Sequence, residues 1–328
     1  MQDFILLQPK GISEAVATWR EGDCFIAGGT DLLQLMKSGV TAPTRVIDLS
    51  PLHPRRIAVT DGRLELGALC TMAETAAHPD VRNEFPAISM ALLQSASPQV
   101  RNMGTVGGNL LQRTRCGYFR DTGFPCDKRQ PGSGCPALHG DNRELAIFGG
   151  GTRCIATHPS DLPVALMALD AELDLVEPGG KARRLKLAKF YRLPGETPHI
   201  ETVLRPGEVI AKVHVPASAV ARNSTYVKVR DRASFSFALV SAAVGLDVAN
   251  GSIRDARVAL GGVAPMPWRL PRVEDALRGQ RLTGDVLDAA AARAGDGATG
   301  AGHNNFKIEL ARRTVARALH TVAERETL

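Results

Sequence analysis

The sequence predicts an α/β protein that passes into an α+β region toward its C-terminus. Strand and helix patterns alternate through roughly the first fifty residues, the signature of a small parallel sheet with crossover helices. Past Asn223 a long hairpin pattern precedes helical segments that run to the end. Between these lies a Gly-rich stretch, Gly104–Gly151, without sustained periodicity, which reads as loop and, at that length, as functional or disordered.

In order, "FILLQP" reads as a strand, "GISEAVATWR" as a helix and "CFIAGG" as a short buried strand. "TDLLQLMKSG" is a helix closed by Gly39, and "TRVIDL" is a third strand. After "PLHPRRIAV" come a strand in "GRLELGAL" and helices in "TMAETAAH" and "FPAISMALLQSA". The stretch "DLPVALMALDAELDLVEPGGKARRLKLAKF" gives a helix, a strand, a turn at Pro178-Gly179-Gly180 and a second strand. "GEVIAKVHVP" adds another. The polar, irregular run Ala217–Asn223 marks a domain boundary, followed by the strand "STYVKVR" and a hairpin turning at Asn250-Gly251. "ELARRTVARALHTVAER" is an amphipathic helix.

A chain of 328 residues is long enough for about two domains. With 44% hydrophobic and 23% charged residues it has an ordinary globular composition. It lacks an apolar run of about eighteen residues, which excludes membrane insertion by a spanning helix. "MQDFILLQPK" has no basic segment and too short an apolar core for a signal peptide, so the expectation is a chain made without its own export signal. The charge of +6 is spread along the chain, and aromatics are only 5%, so no basic stripe interleaved with stacking rings points to nucleic acid. A basic surface facing an acidic partner is the better reading.

"CFIAGGTDLLQLM" places a Gly-Gly turn between a strand and a helix start, where backbone can approach a ligand closely and first-turn amides meet an anion. Thr30 there can cap the helix or donate its hydroxyl to a phosphate. The pattern is neither a P-loop nor Gly-x-Gly-x-x-Gly, and taken alone a plain tight turn with an N-cap is the better account of it. "MGTVGGNLL" is a second such loop, readable also as a helix end and turn. Two loops of this kind together favour a dinucleotide. In "THPSDLPVAL", Ser160 or Asp161 can cap the next helix with Pro163 in its first turn. An Asp holding a ribose or adenine edge is the competing role.

Cys24 and Cys70 sit in apolar strand-like runs and read as inert buried thiols. Cys116, Cys126, Cys135 and Cys154 instead fall in or beside the Gly-rich stretch "RTRCGYFRDTGFPCDKRQPGSGCPALHG". Structural zinc sites usually bring cysteine pairs two to four residues apart, and no such pair occurs here. A spread ligand set also suits a cubane iron–sulfur cluster, and spacing alone leaves zinc and iron level. Arg113, Arg115, Arg120, Lys128 and Arg129 outnumber Asp121 and Asp127, a balance that suits an anionic cluster or simply a solvated loop.

With "AGGTDLL", "GTVGGNL", "HPSD" and "YVKVRDR" in place, the chain resembles the FAD-binding subunit of the xanthine dehydrogenase, or molybdenum hydroxylase, family. It is most similar to the FAD and 4Fe–4S subunit of periplasmic-type bacterial aldehyde oxidoreductases, where a cysteine insertion follows the second glycine loop. The resemblance implies a two-subdomain FAD-binding fold of the PCMH (vanillyl-alcohol oxidase-like) type and a C-terminal α+β domain with a small antiparallel sheet. The expected limits are residues 1–55, 56–217 with the insertion at about 112–155, and 222–328.

The resemblance further implies that Cys24, Phe25, Ile26, Ala27, Gly28, Gly29, Thr30, Asp31 and Leu32 wrap the FAD diphosphate, completed by Thr105, Gly108 and Asn109. Asp161 and Ile210 would contact the nucleotide, and Lys228 would lie near the flavin. Phe235, Ser236 and Phe237 stand where the family commonly shows an acidic residue, which leaves the flavin-side contacts and the electron acceptor open. Cys116, Cys126, Cys135 and Cys154 would hold one 4Fe–4S cluster, as relay or as structural staple. No general acid or base is expected. The implied partners are a molybdopterin-binding large subunit and a small subunit with 2Fe–2S clusters, which feed electrons through FAD to an external acceptor. The implied compartment is periplasmic, by co-export with a partner that carries a twin-arginine signal, or cytoplasmic. Two other readings stay open: a zinc-stapled, non-redox assembly subunit, and a stand-alone FAD oxidase. The second is disfavoured because no base and no His or Cys for covalent flavin attachment stands near the expected flavin position.

Overall fold

The computed structural model describes residues 1–52 and 55–326. His53 and Pro54, in the expected first subdomain, and Thr327 and Leu328, at the expected C-terminal limit, lie outside the described residues. Strands β1 (Ile5–Leu7), β2 (Cys24–Ile26) and β3 (Arg45–Asp48) form a three-stranded parallel sheet of order β1-β3-β2. Parallel neighbours need crossover connections, supplied here by helices α1 (Ile12–Thr18) and α2 (Leu32–Lys37).

The next unit is a five-stranded antiparallel sheet. Its strands are β4 (Ile57–Thr60), β5 (Arg63–Gly67), β6 (Glu172–Val176), β7 (Ala182–Lys186) and β8 (Val209–Pro216), in the order β4-β5-β8-β6-β7. Leu173 and Leu175 are buried in β6 between the more exposed Glu172 and Asp174, the alternation expected of a sheet with one face on the core. Between β5 and β6 lie α3 (Met72–Ala77), α4 (Pro79–Glu84), α5 (Pro86–Leu93), α6 (Pro98–Met103), α7 (Val106–Leu110), α8 (Gly117–Arg120) and α9 (Leu162–Ala168). Thr71 starts α3 with a capping box: its hydroxyl accepts from the Glu74 amide, and the Glu74 carboxylate accepts from the Thr71 amide.

The stretch Gly104–Gly151 is not wholly loop. Two glycines lower the helix propensity of "VGGNL", yet α7 forms because Thr105 Oγ1 accepts from the Gly108 amide at 3.1 Å. Its outer amides are also held from outside, Val106 by the Cys70 carbonyl and Gly107 by the Ala68 carbonyl. The second glycine loop is therefore a capped helical turn stitched onto the end of β5.

After the short helix α10 (Ala219–Arg222), strands β9 (Ser224–Val229), β10 (Val240–Ala249), β11 (Ser252–Gly261) and β12 (Trp268–Arg269) form an antiparallel sheet of order β12-β11-β10-β9. Asn250 and Gly251, with φ of 52° and 72°, make the turn of its long hairpin. Helices α11 (Pro271–Leu277), α12 (Gly284–Ala291) and α13 (Phe306–Ala323) complete the unit. Ala311, Val315, Ala318, Leu319 and Val322 form the buried stripe of α13.

One clamp escapes sequence reading altogether. Lys307, fully buried at the start of α13, donates to the carbonyls of Glu144 (2.8 Å), Leu145 (3.1 Å) and Gly262 (2.6 Å). Burial pushes its amine down to about 7. Asn304 Nδ2 also donates to Leu145 and Ala146, so the C-terminal helix grips the strand-like return of the cysteine insertion. Lys307→Met leaves three buried carbonyls unpaired while removing a buried charge, and is expected to cost about 2–4 kcal/mol in urea unfolding.

Candidate functional site

The first glycine loop leaves β2 and enters α2. Gly29 has φ of 69°, which only glycine adopts at little cost. Gly28 meets a different constraint: a Cβ placed there would stand 1.8 Å from the Met103 carbonyl oxygen. The two glycine loops are thus in backbone-to-backbone contact. Asp31, not Thr30, takes the N-cap position of α2, and its side chain makes no capping bond.

Together the loops wall a cavity of about 970 Å³, near the upper end of the range for small-molecule and cofactor sites. Cys24, Phe25, Ile26, Ala27, Gly28, Gly29, Thr30, Asp31 and Leu32 line it on one side, and Thr105, Gly108 and Asn109 on another. Asp161, Ile210 and Lys228 close it from α9, β8 and β9. Asn109, buried, leaves Oδ1 without a hydrogen-bond partner in the chain. Leu32, which opens α2, lines the cavity, whereas the first amides of α7 are already held by Cys70, Ala68 and Thr105. A large cavity with two glycine loops and an orphaned acceptor fits an elongated, anionic, hydroxyl-rich ligand such as FAD.

Asp161 departs from the capping role. It occupies the N-cap position of α9 without a side-chain capping bond. Its carboxylate accepts instead from Ser95 Oγ (2.8 Å), Tyr226 Oη (2.5 Å) and Lys228 Nζ (2.8 Å). Ser160 does not cap either, since its hydroxyl donates to the Asn109 carbonyl at 2.7 Å. Asp161 and Lys228 therefore reach the cavity as a buried, mutually neutralised pair. Burial and the Asp161 charge hold the Tyr226 phenol well above its ordinary range, so it remains a donor. Tyr226 opens "YVKVRDR" without any signal of this contact, and Ser95 had no signal in the sequence at all.

His158, half-buried, shares the Leu110 carbonyl with Tyr191, and its Nδ1 accepts from the Ser160 amide. Burial pushes its imidazole down to about 4. The unfolded chain takes up that proton near 6.5, and the folded chain does not until about pH 4. Stability is therefore full above the unfolded value and falls as pH drops through this window. His158→Gln should flatten the loss of melting temperature between pH 7 and 5.

The four insertion cysteines line one small cavity with Phe119, Pro136 and Ala137. Cys116, Cys126 and Cys154 are buried, Cys135 is half-buried, and none is in a disulfide. Desolvation raises the thiols of Cys116 and Cys135 and pushes Cys154 up to about 11. Amides of Tyr118 and Phe119 are aimed at Cys116, those of Ala137, Leu138 and Ile155 at Cys135, and that of Ala156 at Cys154. Among the described residues no three His, Cys, Asp or Glu side chains stand close enough to hold one metal ion. Zinc would draw its sulfurs to about 3.8 Å from one another, given Zn–S bonds of about 2.3 Å. The four thiols share this one cavity, with backbone amides aimed at three of the sulfurs. Cys24 and Cys70 stay apart from this group, and burial raises both thiols, Cys70 to about 11.

The insertion's cations are not free. Arg115 and Arg120 pair with Asp31, and Arg113 and Lys128 pair with Glu201. Arg129 donates to the carbonyls of Tyr118, Phe119 and Phe124. Further along, Arg143 makes a two-point ion pair with Asp231, and Arg115 lies 5.0 Å over the ring of Phe237. These residues strap the insertion to both sides of the large cavity.

The profile of the FAD binding domain in molybdopterin dehydrogenase matches residues 2–218, and that of the CO dehydrogenase flavoprotein C-terminal domain matches residues 224–322. The chain belongs to the FAD-binding subunits of the molybdenum hydroxylase family. Within it, this flavin subunit is 49% identical to the aldehyde oxidoreductase FAD-binding subunit of Escherichia coli (strain K12), across 91% of each chain. It is 26% identical to the glyceraldehyde dehydrogenase medium chain of Sulfolobus acidocaldarius, covering 89% of this chain and 86% of that one. The carbon monoxide dehydrogenase structure from Hydrogenophaga pseudoflava superposes with a TM-score of 0.76 at 26% identity, over 99% of this chain and 98% of that one. The subunit is an oxidoreductase component, and no helix among the described residues is long and apolar enough to cross a membrane. Gly28→Ala in this flavin subunit forces the Met103 carbonyl away and should abolish flavin retention, measured as the 450 nm absorbance carried through gel filtration.

Proposed function

We propose that this chain is the FAD- and 4Fe–4S-containing electron-transfer subunit of a heterotrimeric molybdenum-dependent aldehyde oxidoreductase. The observation that carries the reading is the cavity walled by two glycine loops, in a chain sharing half its residues with an aldehyde oxidoreductase flavin subunit. Bound FAD supplies the exchange of electrons between the 2Fe–2S clusters of a small partner subunit and an external acceptor. Aldehyde oxidation itself belongs to a large, molybdopterin-binding partner. The division we infer for the chain is 1–55, 56–217 and 222–328.

The residues of this chain bind and orient. The loop Cys24–Leu32, with Thr105, Gly108 and Asn109, cradles the diphosphate. Asp161 acts by holding Lys228 and Tyr226 in place, and Ile210 supplies apolar contact. Lys228, held at 2.8 Å by Asp161 and at 3.2 Å by the Gln94 carbonyl, presents a hydrogen-bond donor fixed in place at the flavin end. Cys116, Cys126, Cys135 and Cys154 hold the cluster, and the amides aimed at their sulfurs offset its negative charge.

Iron, sulfide, zinc and flavin content of anaerobically purified protein tests this reading. About four iron and four sulfide per chain are expected, with one FAD, and Cys154→Ser should lose the iron. Zinc in place of iron would support the assembly-subunit reading, and absence of flavin would remove the FAD assignment. Full aldehyde turnover by this chain alone would contradict a subunit role.

A further inference from the structure

Asp31 ends the first glycine loop at the wall of the large cavity, and its carboxylate is held by residues of the cysteine insertion. Oδ2 accepts from the Arg113 amide at 2.8 Å. Oδ1 meets Arg120 at 2.8 Å and Arg115 at 3.0 Å. Arg120 also donates to the carbonyls of Arg113 and Thr114, so the segment before Cys116 is folded around this one carboxylate. Two further contacts join the same regions. The ring of Phe119 is part of the wall of both the large cavity and the cysteine cavity. Leu35 of α2 shares an apolar cluster with Cys116, Cys126 and Cys154.

We propose that Asp31 is a positioning residue that couples the two sites, so that metal occupancy of the cysteine cavity sets the affinity of the large cavity for FAD. The inference rests on the cluster assignment above. Two physical effects drive it. An irregular insertion that loses its metal regains conformational entropy and no longer holds Arg115 and Arg120 in place. The freed Asp31 carboxylate then stands unneutralised in the loop that receives an anionic diphosphate. Linkage makes the coupling reciprocal: bound FAD must raise the retention of the metal by the same factor.

The test uses the full-length chain with its co-purifying partners, prepared anaerobically and freed of flavin. FAD dissociation constants are measured by flavin fluorescence before and after iron removal with a chelator under reductant, with iron assayed at each stage. The expected weakening on iron removal is roughly 5–150-fold, the usual span of such couplings. In Asp31→Asn, which keeps an acceptor for the Arg113 amide, that ratio should shrink toward one. Arg115→Gln, which leaves Arg120 in place, should give an intermediate ratio and serves if the first variant does not fold. The ratio, unlike the affinity itself, is not moved by a general loss of stability. An unchanged FAD affinity after verified iron removal from the wild-type chain would overturn the coupling alone. Preparations that never contain iron overturn the cluster assignment, and the coupling with it.

Discussion

The Met103 carbonyl lies where a side chain on Gly28 would begin, and the cavity depends on that close approach. One loop comes from the parallel sheet and the other from the end of α6, so their contact joins two separately built units. The second loop can be presented there because α7 is pinned to Ala68 and Cys70 at the end of β5. A Cβ at position 28 would separate the loops, and the two would no longer face the same ligand. Cofactor binding is thus a property of the junction.

The cysteine insertion reinforces that junction from outside. Its cations are spent on Asp31, on Glu201 and on backbone carbonyls, while Lys307 and Asn304 of the C-terminal unit hold its return. A buried ion pair stabilises little once the cost of desolvation is counted, yet breaking one partner away is expensive. Such pairs are better at fixing register than at adding stability, which suits a long irregular insertion. The Asp161–Lys228 pair plays a similar part at the opposite wall, where Tyr226 and Ser95 satisfy the remaining carboxylate sites.

Much of the fold was legible because its signals are local. Crossover helices between short apolar strands announced the parallel sheet, and Asn250-Gly251 announced the long hairpin. Glycine pairs marked both loops for the same reason: backbone conformation is written in the residue itself. The helical turn at Val106–Leu110 was missed because its propensity is poor and its stability comes from Thr105 and from carbonyls some forty positions earlier. The partners of Asp31, Asp161 and Lys307 were equally hidden, since they bridge segments 45 to 163 residues apart, and no periodicity records such pairings.

Hydrogen exchange on the subunit, with and without FAD, tests most directly whether the loops and the insertion act as one unit. Amides in 24–32, in 104–109 and in 113–120 should gain protection together and by a similar free energy when flavin binds. Protection confined to 24–32, with the insertion exchanging at an unchanged rate, would contradict a shared junction.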